Sequence, residues 1–130
     1  MDRDVALLRF AELVAADGEL LLPGWQHLVL VSVMEAGTPD LTGFCYLDDG
    51  RAVPVSPSDF DILDAVELLR DAMAAQDAGA GWVSAQFGID RAGQLRAEYE
   101  YHDSARWAVT PANVKARAEE FRPAPGSPAT

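Results

Sequence analysis

The stretch WVSAQFGIDRAGQLRAEYEY, residues 82–101, decides how this chain folds. Trp82 to Ile89 and Gln94 to Tyr101 alternate with the two-residue period of a half-buried strand. Val83, Ala85, Phe87 and Ile89 share one face of the first run. Leu95, Ala97, Tyr99 and Tyr101 share one face of the second, while Arg96, Glu98 and Glu100 point the other way. Asp90-Arg91-Ala92-Gly93 between them supplies turn chemistry, so the two runs predict an antiparallel hairpin with one packed face and one wet face.

Upstream, Asp77-Ala78-Gly79-Ala80-Gly81 reads as a flexible joint after a helix. That helix opens at Ser56-Pro57-Ser58-Asp59, where Ser56 can cap, Pro57 suits the first helical position and Asp59 lies near the positive end of the dipole. It runs to about Gln76, and Ile62, Leu63, Val66, Leu69 and Met73 supply its buried stripe. Thr42 to Leu47 and Arg51 to Val55 flank Asp48-Asp49-Gly50, a second hairpin turn. His27 to Met34 is a short β-branched and leucine-rich strand bounded by Pro23-Gly24 and by Gly37 to Pro39. Asp2 to Ala16 has a helical stripe of Ala6, Leu7, Phe10, Leu13 and Val14, stopped at Asp17-Gly18. Downstream, Thr110-Pro111 starts a last helix, Ala112 to Phe121, and Pro123 to Thr130 is expected to be a disordered tail.

The order α-β-β-β-α-β-β-α predicts an α+β fold: an antiparallel five-stranded meander sheet with N-terminal, central and C-terminal helices laid on one face. A single domain over residues 1–122 follows from the length, and 49% apolar residues in a 14.0 kDa chain suffice for a core. No βαβ rhythm supports a Rossmann-type domain. No apolar run approaches a membrane span, and Met-Asp-Arg-Asp lacks the basic and apolar regions of a signal peptide, so a soluble cytoplasmic protein is expected. The lone Cys45 excludes an internal disulfide.

The formal charge is −11, from 21 acids against 10 bases. Nucleic-acid binding is opposed, because that affinity comes from cations neutralising phosphates. A basic protein partner is attracted and steered, although net charge also serves solubility alone.

Chemistry-bearing patterns are few. Neither G-x-x-x-x-G-K nor G-x-G-x-x-G occurs, and Gly79 and Gly81 lead into a strand. Cys45 would need His27 or His102 beside it to form a thiolate, whereas a free strand cysteine is more often a small buried apolar residue. No serine lies in a G-x-S-x-G elbow. Asp59, Asp61 and Asp64 have D-x-D spacing without the glycine and terminal glutamate of an EF-hand, and acids are ordinary at a helix start. Glu98 and Glu100, with Asp103 and His102 nearby, share a strand face as an acid/base pair would, but on a wet face such pairs are usually solvated. Phe87, Tyr99, Tyr101 and Trp107 are expected in the core, with Trp25 and Trp82 covering sheet ends. No catalytic residue, metal or cofactor is therefore assigned.

An acidic surface remains. Asp64, Glu67 and Asp71 fall on one helix face, since steps of three, four and seven return to it, and only Arg70 offsets them. Asp48, Asp49, Glu98, Glu100 and Asp103 add charge at a hairpin tip and on the exposed sheet face. These eight are the candidate partner-binding residues.

The run from Trp82 to Tyr101, followed by Arg106-Trp107 and Thr110-Pro111, resembles the YezG-like immunity proteins of bacterial polymorphic toxin systems. An N-terminal helix and the Pro23-Gly24-Trp25 lead-in to the first strand are similar too, and the likeness extends to about Phe121. The resemblance implies an antitoxin that binds a cognate toxin, often a nuclease, and blocks it without catalysis. In that light Pro23, Trp25, Trp82, Phe87, Gly93, Tyr99, Tyr101 and Trp107 look like fold determinants rather than contact residues. The Asp77 to Gly81 linker and the proline-rich tail depart from the family pattern. Two further readings stand beside it: a small interaction or adaptor domain of a secretion or regulatory system, and an enzyme using Glu98, Glu100, Asp103 or His102 in a cleft.

Overall fold

A computed structural model describes residues 2–35, 38–76 and 81–123. The elements are α1 (Arg3–Ala15), β1 (Trp25–Glu35), β2 (Thr38–Pro39), β3 (Thr42–Leu47), β4 (Ala52–Val55), α2 (Phe60–Gln76), β5 (Ser84–Asp90), β6 (Leu95–Glu100) and α3 (Val114–Glu120). The fold is α+β, with every strand pairing antiparallel. The strand order is β4-β3-β1-β5-β6, and the short β2 pairs with the end of β1.

β1 is central because it can be buried on both sides: Leu28, Val29, Leu30 and Val31 are all buried. One hairpin lies on either side of it, and α2 carries the chain from one to the other. The two tight turns close on Gly50 and Gly93, with φ of +92° and +88°, a region glycine enters without steric cost. Gly43 serves a different need. A Cβ there would overlap the Val29 carbonyl, so this glycine lets β3 approach β1.

α1 and α2 cover one face of the sheet. Ala6, Phe10 and Val14 from α1 and Ile62, Val66, Leu69 and Met73 from α2 meet Leu28, Leu30, Cys45, Phe87 and Ile89. Phe10 packs against Phe87 with ring centroids 4.7 Å apart. Tyr99 and Tyr101 are partly buried at the margin of this core. Trp82, two residues before β5, is fully buried in this core.

The opposite face is not simply wet. Val29, Val31, Phe44 and Tyr46 alternate with the first set and form a second core with Trp107 and Phe121. α3 lies over them, held by the Tyr46 hydroxyl donating to the Ala118 carbonyl at 2.8 Å. The helices therefore sit on both faces, where the sequence predicted one; β1 and β3, apolar at consecutive positions, are the reason.

Helix starts also differ from the expected ones. Pro57 is buried in the irregular segment before the helix and Ser58 donates to the Glu19 carboxylate at 2.8 Å, and α2 begins only at Phe60. Asp59, not Ser56, closes its first turn, its carboxylate accepting from the Asp61 amide at 2.9 Å. In α3, Asn113 accepts from the Thr110 amide and donates to the Ala108 carbonyl, which delays the helix to Val114. The joint at residues 77–80 and the tail from residue 124 lie outside the described residues.

Candidate functional site

The chain's negative charge is unevenly spread along it. Residues 1–90 hold sixteen acids and four bases, whereas residues 91–130 hold five acids and six bases. All of the net negative charge therefore resides in α1, α2, β1 to β5 and their connections.

The eight candidate acids fall in three separate places. Asp64, Glu67 and Asp71 are exposed along the outer face of α2, as the spacing predicts. None of the three forms an ion pair among the described residues. Arg70, expected to offset them, does not. Its Nε donates to the Trp82 carbonyl at 2.7 Å and its guanidinium lies 5.9 Å from the Trp82 ring centroid.

Asp48 and Asp49 sit at the β3–β4 tip, by the start of β1, since Trp25 pairs with Leu47. The Asp48 carboxylate rests over Gly24. Asp49 accepts from the Arg51 backbone amide at 3.0 Å and its Nε at 2.7 Å. These bonds, the amide first, hold its carboxyl below the usual range.

Glu98, Glu100 and Asp103 lie on the α3 side or beyond it. Glu100 faces Ser84, which in turn faces Val33, so it stands at the sheet end opposite the Asp48 tip. Its carboxylate accepts from the amides of His102 at 2.9 Å and Asp103 at 3.3 Å, and from Arg106 at 3.0 Å. The His102 amide, then Arg106, lower its carboxyl below the ordinary glutamate value. Glu98 has Arg96 at 3.6 Å, and Asp103 accepts from the Ala105 amide. Glu98 and Glu100 thus each have an arginine partner, unlike the α2 row, while the Asp103 carboxylate serves the loop backbone.

Groups that could do chemistry are kept apart by the register. Leu28 faces Cys45 while His27 faces Tyr46, so the cysteine and the histidine point to opposite sides of the sheet. Burial also raises the Cys45 thiol above its ordinary range, which disfavours thiolate. His102 lies beyond β6, next to Glu100. Among the described residues no group of three or more His, Cys, Asp or Glu is placed to hold a metal ion. A trough of about 340 Å³ runs between β6 and α3 over Gly88, Gln86 and Trp107, with Arg96, Glu98 and Arg122 on its walls. Arg122 is committed elsewhere, to Glu119 and the Gly50 carbonyl. No helix among the described residues is long and apolar enough to cross a membrane.

Two residues escaped the sequence reading. Phe60 is 78% exposed and Leu68 47% exposed. Both lie among the α2 acids: Leu68 is four residues after Asp64 and three before Asp71, and Phe60 is four before Asp64. The signal was present, since neither falls on the Ile62/Val66/Leu69/Met73 stripe. An exposed apolar side chain beside a row of charge has the mixed composition of an interface margin.

Compared with known proteins, the chain matches no family model and no curated protein.

Proposed function

We propose that this chain is a non-catalytic binding protein of the immunity or antitoxin type, which neutralises a cognate toxin by direct contact. The observation that carries the reading is the outer face of α2. There Asp64, Glu67 and Asp71 stand exposed beside Leu68, with no ion pair among the described residues and with Arg70 turned away to Trp82. A surface of that kind is complementary to a basic, phosphate-binding active site such as a nuclease has, and charge of −11 accelerates the encounter. The resemblance of residues 82–111 to YezG-like immunity proteins points the same way.

The test uses the gene encoded beside this one. Its product is expressed with and without this chain, and survival of the host is scored together with binding at two salt concentrations. Protection by the wild type is expected, with affinity falling as salt rises. Asp64→Asn/Glu67→Gln/Asp71→Asn together should weaken binding by about tenfold or more while leaving the melting temperature within a degree or two. Unchanged affinity in the triple variant, or no protection from any neighbouring toxin, would overturn the reading.

A further inference from the structure

The two sheet edges are not equivalent. In β4 the pairings Gly43 to Val55 and Cys45 to Val53, continued by the Leu47 amide bonding to the Arg51 carbonyl, turn the backbone groups of Val53 and Val55 inward. Ala52 and Pro54 therefore face outward, and Pro54 has no N–H to offer a further strand. In β6 the Asp90 amide bonds to the Gln94 carbonyl, and the same phase turns Arg96, Glu98 and Glu100 toward Gly88, Gln86 and Ser84. The amides and carbonyls of Leu95, Ala97 and Tyr99 are left pointing outward from a terminal strand, with no backbone bond to another element among the described residues.

The sequence on that edge is complementary to itself. Antiparallel pairing of two copies about a two-fold at Ala97 sets Leu95 opposite Tyr99, Arg96 opposite Glu98 and Ala97 opposite its own copy. Residues 95, 97 and 99 then occupy the hydrogen-bonded positions, which is the phase the free groups require. Arg96 and Glu98 are about half exposed and only loosely paired within one chain, at 3.6 Å, so both can reach across. Leu95 meets the Tyr99 ring on the α1 side, an aliphatic–aromatic cross-strand pair.

We infer that the β6 edge is a self-association surface, joining two copies of the chain into one continuous antiparallel sheet centred on Ala97. The inference stands apart from the toxin-binding reading, because it uses neither α2 nor any partner.

Sedimentation equilibrium of the full chain between roughly 1 μM and 1 mM should show a monomer–dimer equilibrium. Arg96→Glu alone sets carboxylate against carboxylate across the two-fold, and Glu98→Arg alone sets guanidinium against guanidinium. Each should weaken the dimer by about tenfold or more. An equimolar mixture of the two variants restores both pairs and should dimerise again, a result that misfolding of either variant cannot produce. Ala97→Pro, which removes an outward amide not used within the sheet, should remain monomeric. A monomer throughout the concentration range, single variants that dimerise like the wild type, or a mixture that stays monomeric would each overturn the assignment.

Discussion

A methyl group on Gly43 would press against the Val29 carbonyl and come within 2.9 Å of the Leu30 Cα. Both neighbours are backbone of the central strand and cannot move alone. Gly43→Ala should therefore cost about 3 kcal/mol in urea unfolding, even though the change adds only one carbon. Glu100 gives a pH-dependent counterpart. Its carboxyl is lowered in the fold, chiefly by the His102 amide, so its stabilisation is present above the unfolded-state value and is lost as pH falls through the folded one. Thermal melts of Glu100→Gln and wild type should differ most near neutral pH and converge as pH falls through the lowered range of the folded carboxyl. The two residues differ in how legible they were. Glu100 stood out as a carboxylate on a strand face, but its bonds to the loop that follows depend on a turn that no periodicity encodes. Gly43 gave no signal at all, because close backbone approach is a property of two strands seen together.

At the scale of elements, the alternation in β5 and β6 and the stripes of α1 and α2 were readable, since each reflects one partner on one side. α3 was misplaced for the opposite reason. The runs His27–Met34 and Thr42–Leu47 are apolar at successive positions, the pattern of strands covered on both faces, yet that pattern does not say which segment provides the second cover. Phe121 provides part of it, with its ring 6.2 Å from that of Phe44. Phe121→Ala should lower stability by about 3 kcal/mol and detach α3, whose seven residues are too few to persist unaided. Exchange of the amides at Arg117 and Phe121 with solvent would report the loss directly. The delayed starts of α2 and α3 have a common cause: Ser58 and Asn113 find tertiary or loop partners that compete with capping at the residues before them.

Across the whole molecule, charge was legible in amount and not in placement. The sequence count places −11 on the chain, but the cations cluster after residue 90, where they neutralise Glu98, Glu100 and Glu119. Of the eight acids singled out, Asp64, Glu67 and Asp71 form a row along one helix face with no ion pair among the described residues, and the exposed Leu68 at its edge adds an apolar anchor. Leu68→Ser should therefore weaken binding of the cognate toxin about as much as loss of one carboxylate, with no salt dependence in the increment; calorimetry at two ionic strengths separates the contributions. Pro54 has a consequence at this same scale. Two copies joined through β6 leave a β4 strand at each outer end, and there the missing amide interrupts the ladder. Even at the concentrations of a crowded cell, such a pair has no sticky end from which to grow into a fibre.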